Sequence, residues 1–192
     1  MQKMDEVECA PILMGKNIFL RPLTESDIGE RYLSWLNDQE VTRYMSTGQS
    51  SATITKSDLY NYFERFKNSK TDFIFGIVDC ATKQHIGNVT LNHLHPVNKT
   101  ADTGIMIGVK DFWGKGYAFE AWSLLIEHAF LQLKVRRIEA CTLAENKGSV
   151  QALKKLGFKM EGIRRRHFLV EGRECDEIHF GLFHSEFYKF IP

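Results

Sequence analysis

Gly104-Ile-Met-Ile-Gly-Val-Lys-Asp-Phe-Trp-Gly-Lys-Gly-Tyr-Ala-Phe-Glu-Ala-Trp122 passes from an apolar, β-rich run, through a turn holding Gly114 and Gly116, into the first turns of a one-sided apolar helix. The two glycines allow backbone angles closed to other residues and let a ligand approach the main chain. A helix leaves its first N–H groups without partners, and with the positive end of the helix dipole these form a place for phosphate. The rest of the chain is organised around this strand, turn and helix.

Working outward, Asn17 to Leu23 reads as a first strand closed by Arg21-Pro22. Thr24-Glu-Ser-Asp27 opens a helix carrying Ile28, Tyr32, Leu33, Trp35 and Leu36, which Asn37-Asp38 ends. Thr55-Lys-Ser-Asp58 has the form of a capping box and leads a second helix with Leu59, Tyr62, Phe63 and Phe66 on one stripe. The serine- and threonine-rich segment between them, Val41 to Ile54, is a loop suited to shaping a pocket. Phe73 to Val78 and Ile86 to Leu91 read as a hairpin, Asn92 to Thr100 as a loop, and Asp102 to Val109 as the strand that enters the glycine turn. The helix from Gly116 to Leu131 buries Ala121, Trp122, Leu125, Ile126, Ala129 and Phe130. A strand (Arg137 to Leu143), a short helix (Asn146 to Leu156) and a hairpin turning at Glu171-Gly172 complete the order. This order predicts an α/β (α+β) domain over residues 1–192, with a curved, mixed, mostly antiparallel sheet, about four flanking helices and one β-helix-β unit. Residues 1–14 are expected to form a flexible N-terminal segment.

At 192 residues and 43% apolar content the chain fills one core and falls short of two. A net charge of +1 gives no bulk attraction to nucleic acid. Cys9, Cys80, Cys141 and Cys175 lie far apart, with no metal-ligand spacing, so neither a metal site nor a disulfide framework is expected, and reduced thiols point to a cytoplasmic setting. Met1 to Pro11 has the form of neither a signal peptide nor an anchor, and no apolar run reaches the roughly 20 residues that cross a bilayer. No membrane association is expected, and the aromatic content leaves a homodimer open.

Trp113-Gly-Lys-Gly-Tyr-Ala118 lacks the Gly-Lys-Ser/Thr ending of a Walker A loop, and Phe119 stands where a dinucleotide loop needs a small residue. Taken alone it fits either a ligand loop or a tight strand-to-helix connection. A second element, Leu143-Ala-Glu-Asn-Lys-Gly-Ser-Val-Gln-Ala-Leu-Lys-Lys-Leu-Gly-Phe158, joins it. Together the two resemble the motifs of the GNAT superfamily of acetyl-CoA-dependent N-acetyltransferases, in the branch similar to the ribosomal-protein and spermidine acetyltransferases. Gly116 and Ala118 match the family's Gln/Arg-x-x-Gly-x-Gly/Ala pattern, and Trp113 departs from it; Asn146, Ser149, Gly157 and Phe158 match its second motif.

The resemblance implies that amides from Gly114 through Lys115, Gly116, Tyr117, Ala118 and Phe119 hold the pyrophosphate of acetyl-CoA, with Lys115 adding charge. It implies that the pantetheine arm lies where the strands at Met106 to Val109 and Arg137 to Leu143 splay apart. There Ile107, Gly108 or Val109 would supply a backbone N–H to the thioester, and Asn146 would hydrogen-bond the arm, cap its helix, or both. Asp102 stands where the family often carries a glutamate, and is either a general base acting through water or a structural carboxylate. Ser149 is either the group that protonates the departing thiolate or a first-turn helix residue. The family's tyrosine acid is replaced by Leu153. Trp35, Tyr44, Phe168 and the 92–100 loop are acceptor-side candidates; Arg164 to Arg166 read as a solvated strand, Cys141 as a buried apolar residue, and His93, His95 and His167 receive no role. The amine acceptor is a protein N-terminus, such as that of a ribosomal protein, or a small amine (polyamine, amino acid or nucleotide-linked amino sugar). A module that binds acyl-CoA without turnover is the alternative outside enzymes.

Overall fold

The computed structural model describes residues 12–45 and 53–187. An eight-stranded sheet runs in the spatial order β1 (Leu13–Met14), β2 (Ile18–Pro22), β3 (Phe73–Asp79), β4 (His85–His95), β5 (Thr100–Ile107), β6 (Arg137–Leu143), β8 (Arg173–Phe183) and β7 (Lys159–Val170). Neighbours are antiparallel except β5 and β6, the parallel pair expected of the β-helix-β unit. The helices are α1 (Glu30–Leu36), α2 (Gln39–Thr42), α3 (Lys56–Lys67), α4 (Tyr117–Leu131), α5 (Lys147–Lys155) and α6 (His184–Phe187).

Helix α4 covers one face of the sheet. Its Ala121, Leu125, Ile126, Ala129 and Phe130 are buried against Ile18, Leu20, Val89, Leu91 and Ile138. Each large aliphatic side chain fully removed from water in this way contributes about 1.5–3 kcal/mol. A buried polar chain crosses the same layer: the Trp122 indole N–H donates to Thr103 Oγ1 at 3.1 Å, and that hydroxyl donates to the Thr90 carbonyl at 2.7 Å. Helices α1 and α3 cover the opposite face, where Tyr32, Trp35, Leu59, Phe63 and Phe66 pack with Ile74 and Met106. The expected capping box forms at α3, with Asp58 Oδ2 accepting from Thr55 N–H at 2.9 Å and Thr55 Oγ1 accepting from Asp58 N–H at 3.2 Å. Glu171 and Gly172 both take positive φ, 50° and 75°, and make the expected tight turn between β7 and β8.

Four expectations change. The helix read from Thr24 is broken into a 3-10 turn at Glu25–Asp27, then α1 and α2. The Asp27 carboxylate turns back to accept from Thr24 N–H and to pair with Arg21, and Gly29 starts α1 afresh in an extended conformation. The first residues of the expected 41–54 loop end α2, and residues 46–52 lie outside the described residues. The expected flexible 1–14 segment is outside them as far as residue 11, but Leu13 and Met14 pair with Leu20 and Phe19 as a short edge strand. Strand β4 also runs on to His95, beyond its expected end, through a register shift between Asn92 and His95.

The feature that positions the site is a loss of pairing. Strands β5 and β6 are matched only at Thr100 with Arg137, Ala101 with Ile138 and Asp102 with Glu139. Beyond that point β5 stays with β4 as far as Ile107 opposite Gly87, and β6 stays with β8 as far as Leu143 opposite Glu177. The two strands diverge, as the resemblance implied, but the gap opens earlier on β5 than the expected Met106 to Val109, and β6 is still paired from Arg137 to Glu139. At the far end of β5 the Trp35 indole lies against Gly108, where an added Cβ would overlap its ring atoms. Gly108→Ala is therefore expected to destabilise the fold by about 1–3 kcal/mol or more, since both indole and strand are fixed by packing. Denaturant titration of the purified variant measures this.

Candidate active site

The glycine turn takes its shape from three constraints. Lys110–Phe112 form a single 3-10 turn, the Trp113 indole N–H donates to the Ile107 carbonyl at 2.8 Å, and Gly114 and Gly116 adopt φ of 71° and 87°. A side chain at Gly116 would be strained by its backbone alone, although space around it is open. The first helical hydrogen bond of α4 runs from Glu120 N–H to Gly116 O at 3.0 Å, so the amides of Tyr117, Ala118 and Phe119 have no acceptor within the helix. Open space, left-handed glycines and three such amides at the start of a 15-residue helix form an anion cradle.

The gap between β5 and β6 opens into a cavity of about 550 Å³. Asp102 to Met106 line one side and Cys141 to Leu143 the other, with Asn146 and Ser149 from the start of α5 also on its wall. Asn146 Oδ1 accepts from Ser149 N–H at 3.2 Å, so the asparagine caps its helix and faces the cavity at once. The cap reading of Asn146 is met, and its place on the wall leaves the contact with the pantetheine arm a proposal. Leu153 is wholly buried, so it is a core residue.

The backbone on β5 narrows the thioester donor. Gly108 and Val109 N–H both donate to the Ile86 carbonyl, at 2.9 and 3.2 Å, so neither amide is available to a ligand. Because alternate residues of an antiparallel ladder address the same neighbour, Met106 and Gly104 also face β4. Ile105 and Ile107 turn their amides toward the gap. Of Ile107, Gly108 and Val109, only Ile107 keeps the geometry that the sequence reading required.

The cavity wall also carries acidic groups. Asp102, Asp58 and Glu177 line it, among Tyr32, Tyr62, Asn88 and Asn92. Asp102 accepts from the Asn92 side-chain amide at 2.9 Å and pairs with His93 Nδ1 at 2.5 Å. Glu177, only 6% exposed, pairs with His179 at 2.8 Å and Arg164 at 3.2 Å. Burial alone would raise the Glu177 carboxyl, but hydrogen bonds from His179 and the Cys141 thiol, with the charges of His179 and Arg164, hold it below the usual range. Burial pushes the Cys141 thiol up to about 11, and Glu177 adds to the shift. A neutral thiol is a poor nucleophile. Cys141 is exposed and lines the cavity instead of filling the core, where it was expected.

Of the acceptor-side candidates, Tyr44 and Phe168 line the cavity. Trp35 does not; it is buried against Gly108 and the His85 ring. Glu177 and Asn88 carry no pattern that singles them out; Tyr62 reads as a helix-stripe residue, and Asn92 and His93 fall in the 92–100 acceptor-side loop, where His93 receives no role. Glu177 is adjacent to an apolar strand face, and its only sequence signal is a charge inside an otherwise β-rich run.

Residues 17–159 match the family model described as an acetyltransferase (GNAT) domain. The chain belongs to the GNAT acetyltransferase family. This GNAT chain is 31% identical over 165 residues to an uncharacterised N-acetyltransferase, p20, of Bacillus licheniformis, covering 86% of the chain and 90% of that protein. It is 27% identical over 172 residues to the spermidine N(1)-acetyltransferase of Escherichia coli K12, covering 89% and 88%. It is also 31% identical over 118 residues to the E. coli K12 enzyme that acetylates the alanine of ribosomal protein uS5, covering 59% and 58%. The Vibrio cholerae spermidine N-acetyltransferase, solved with CoA and spermine, shares the fold at a TM-score of 0.80, with 22% identity over 90% of this chain and 98% of that one. The chain is a GNAT N-acetyltransferase, and the open cradle beside a strand gap fits acetyl-CoA as cosubstrate. No group of three or more His, Cys, Asp or Glu able to hold a metal occurs among the described residues. No described helix is long and apolar enough to cross a membrane.

The depressed Glu177 carboxyl has a stability consequence of definite sign. The folded state binds this proton less tightly than the unfolded chain, so the contribution is present at neutral pH and lost as pH falls below about 4.5. Glu177→Gln is expected to be less stable at pH 7, because Arg164 and His179 lose their counter-charge, and to lose less on acidification. Denaturant midpoints across the acid range test both halves.

Proposed function

We propose that this GNAT enzyme transfers the acetyl group of acetyl-CoA to a primary amine by direct attack in a ternary complex. The observation that carries the reading is the continuity of one cavity from Asn146 and Ser149, through the strand gap, to Asp102 and Glu177. Acetyl-CoA supplies the thioester whose carbonyl carbon the amine attacks.

The residues divide the work. The Gly114 to Phe119 turn, with Lys115, Gly116, Tyr117 and Ala118, holds the pyrophosphate on backbone N–H groups. The Ile107 N–H polarises the thioester carbonyl, the Asn146 amide holds the pantetheine arm beside it, and the Ser149 hydroxyl donates to the departing sulfur. Asp102 takes the proton of the amine, directly or through one water. Asp58, Asp102 and Glu177 draw an ammonium into the cavity, and holding the two reactants together contributes roughly 7 to 11 kcal/mol to the rate. The acceptor is a protein N-terminus, such as that of a ribosomal protein, or a small amine; relatives of both kinds exist. The acidic lining supports either cation. Cys80, Cys141 and Cys175 are unpaired, in keeping with a reducing, cytoplasmic setting.

Initial rates with varied acetyl-CoA and amine, read as thiol release across polyamines, amino-acid amides and peptides, test this. Intersecting double-reciprocal lines are expected, and incubation with acetyl-CoA alone should leave the intact enzyme mass unchanged. Parallel lines with an acetyl adduct on Cys141 would replace direct attack by a covalent route. Binding of acetyl-CoA with no turnover on any amine would turn the reading toward an acyl-CoA sensor. Asp102→Asn should lower kcat by about a hundredfold or more, the range of a removed general base.

A further inference from the structure

His93 departs from its surroundings in ways that all concern Asp102. It sits where β4 gains one residue over β5: Asn92 pairs with Asp102 and His95 with Thr100, so three steps on one strand match two on the other. Such a bulge re-aims a side chain. His93 takes φ of 52°, a left-handed conformation rare outside glycine, and its N–H donates to Asp72 Oδ1 at 3.0 Å. The result is that imidazole Nδ1 lies on Asp102 Oδ2, while the ring is 81% exposed to solvent. Asp102 Oδ1 accepts from the Asn92 amide on the other side. A carboxylate at the cavity wall is thus held between a fixed amide and an imidazole that reaches bulk water.

We propose that His93 is a positioning residue that fixes Asp102 as the proton acceptor and links it to solvent. The inference rests on the reading of Asp102 as the base. Transfer forms the amide C–N bond, breaks the C–S bond and yields free thiol. An amine that arrives as ammonium therefore releases one net proton, which must leave the cavity. Asp102 receives it at the cavity wall, and its contact with an exposed imidazole provides the way out. The Nδ1–H form of neutral His93 orients the carboxylate without cancelling its charge. Imidazolium cancels much of that charge and makes Asp102 a poorer acceptor, so turnover should rise as His93 loses its second proton. The charged groups facing His93 are Asp102 from β5, Asp72 from the segment before β3 and Arg65 from α3. The hydrogen bond and charge of Asp102, with Asp72 adding, outweigh slight burial and Arg65 and raise the imidazole above its ordinary value. The activity limb should therefore lie above pH 6.5.

His93→Ala and His93→Asn separate this role from a merely structural one. Asparagine tolerates the left-handed conformation and keeps an N–H donor for Asp102, but it does not titrate. His93→Ala is expected to lower kcat about tenfold or more, with the acetyl-CoA KM little changed, and added imidazole should restore part of the rate at this exposed position. His93→Asn should recover most of the rate and lose the limb above pH 6.5 from its profile. Thermal melts of both variants exclude unfolding as the cause. Wild-type rate and pH profile in His93→Ala, with Asp102→Asn slow, would overturn the inference alone. An unimpaired Asp102→Asn would overturn the reading of the base and this inference with it.

Discussion

Everything at the site depends on β5 and β6 ceasing to pair after Asp102 and Glu139. Each strand is held along its other edge by an antiparallel ladder, β5 by β4 and β6 by β8. The divergence leaves backbone amides facing empty space inside a folded layer, where unpaired polar groups are costly. In the binding mode proposed above, a ligand that resembles a peptide completes the missing ladder, so the defect in the sheet and the proposed affinity for pantetheine are two descriptions of one feature. The helices on either face make the defect tolerable. Helix α4 fastens one face through Trp122 and Thr103, and the cluster of Tyr32, Trp35 and Met106 fastens the other.

Charge around the gap is arranged with few uncompensated groups. Glu177 is ionised within a ring of Arg164, His179 and the Cys141 thiol, and Asp102 is held by Asn92 and His93. Both carboxylates are oriented before any substrate arrives, so little reorganisation remains to be done during reaction. Cys141 lies between them. Its thiol is kept protonated by the same burial and negative charge that would receive an ammonium, and this separates a cation-binding wall from a nucleophilic one.

The fold was legible in the chain wherever period and punctuation agreed. The α4 stripe, the Thr55 capping box, the Glu171-Gly172 turn and the parallel unit from β5 to β6 all follow from local chemistry. Where a distant partner decides, pattern failed. Asp27 reads as a helix-opening acid, but Arg21 on β2 claims its carboxylate and the helix stops. His93 reads as a surface loop residue because nothing local announces the bulge that turns it to Asp102. The family resemblance implies Gly108 as a possible thioester donor, yet the Ile86 carbonyl takes its amide. The glycine turn and the start of α5 are backbone and short motifs and stand in the chain as read; the acidic wall draws on β4, β5 and β8 with α1 and α3, which no local pattern brings together.

The indole of Trp113 gives the glycine turn a further property. By bonding the Ile107 carbonyl it ties the glycine turn, the proposed seat of the pyrophosphate, to the strand residue whose amide faces the gap, six positions earlier. In the complex proposed above, the two ends of a long donor are received by a single rigid gauge. A donor is measured by length as well as by charge: a carrier with a shorter arm, seated by its phosphates, would present its acyl group short of Ile107, and the side chain at the family's usual Gln/Arg position has become the strut that sets this span.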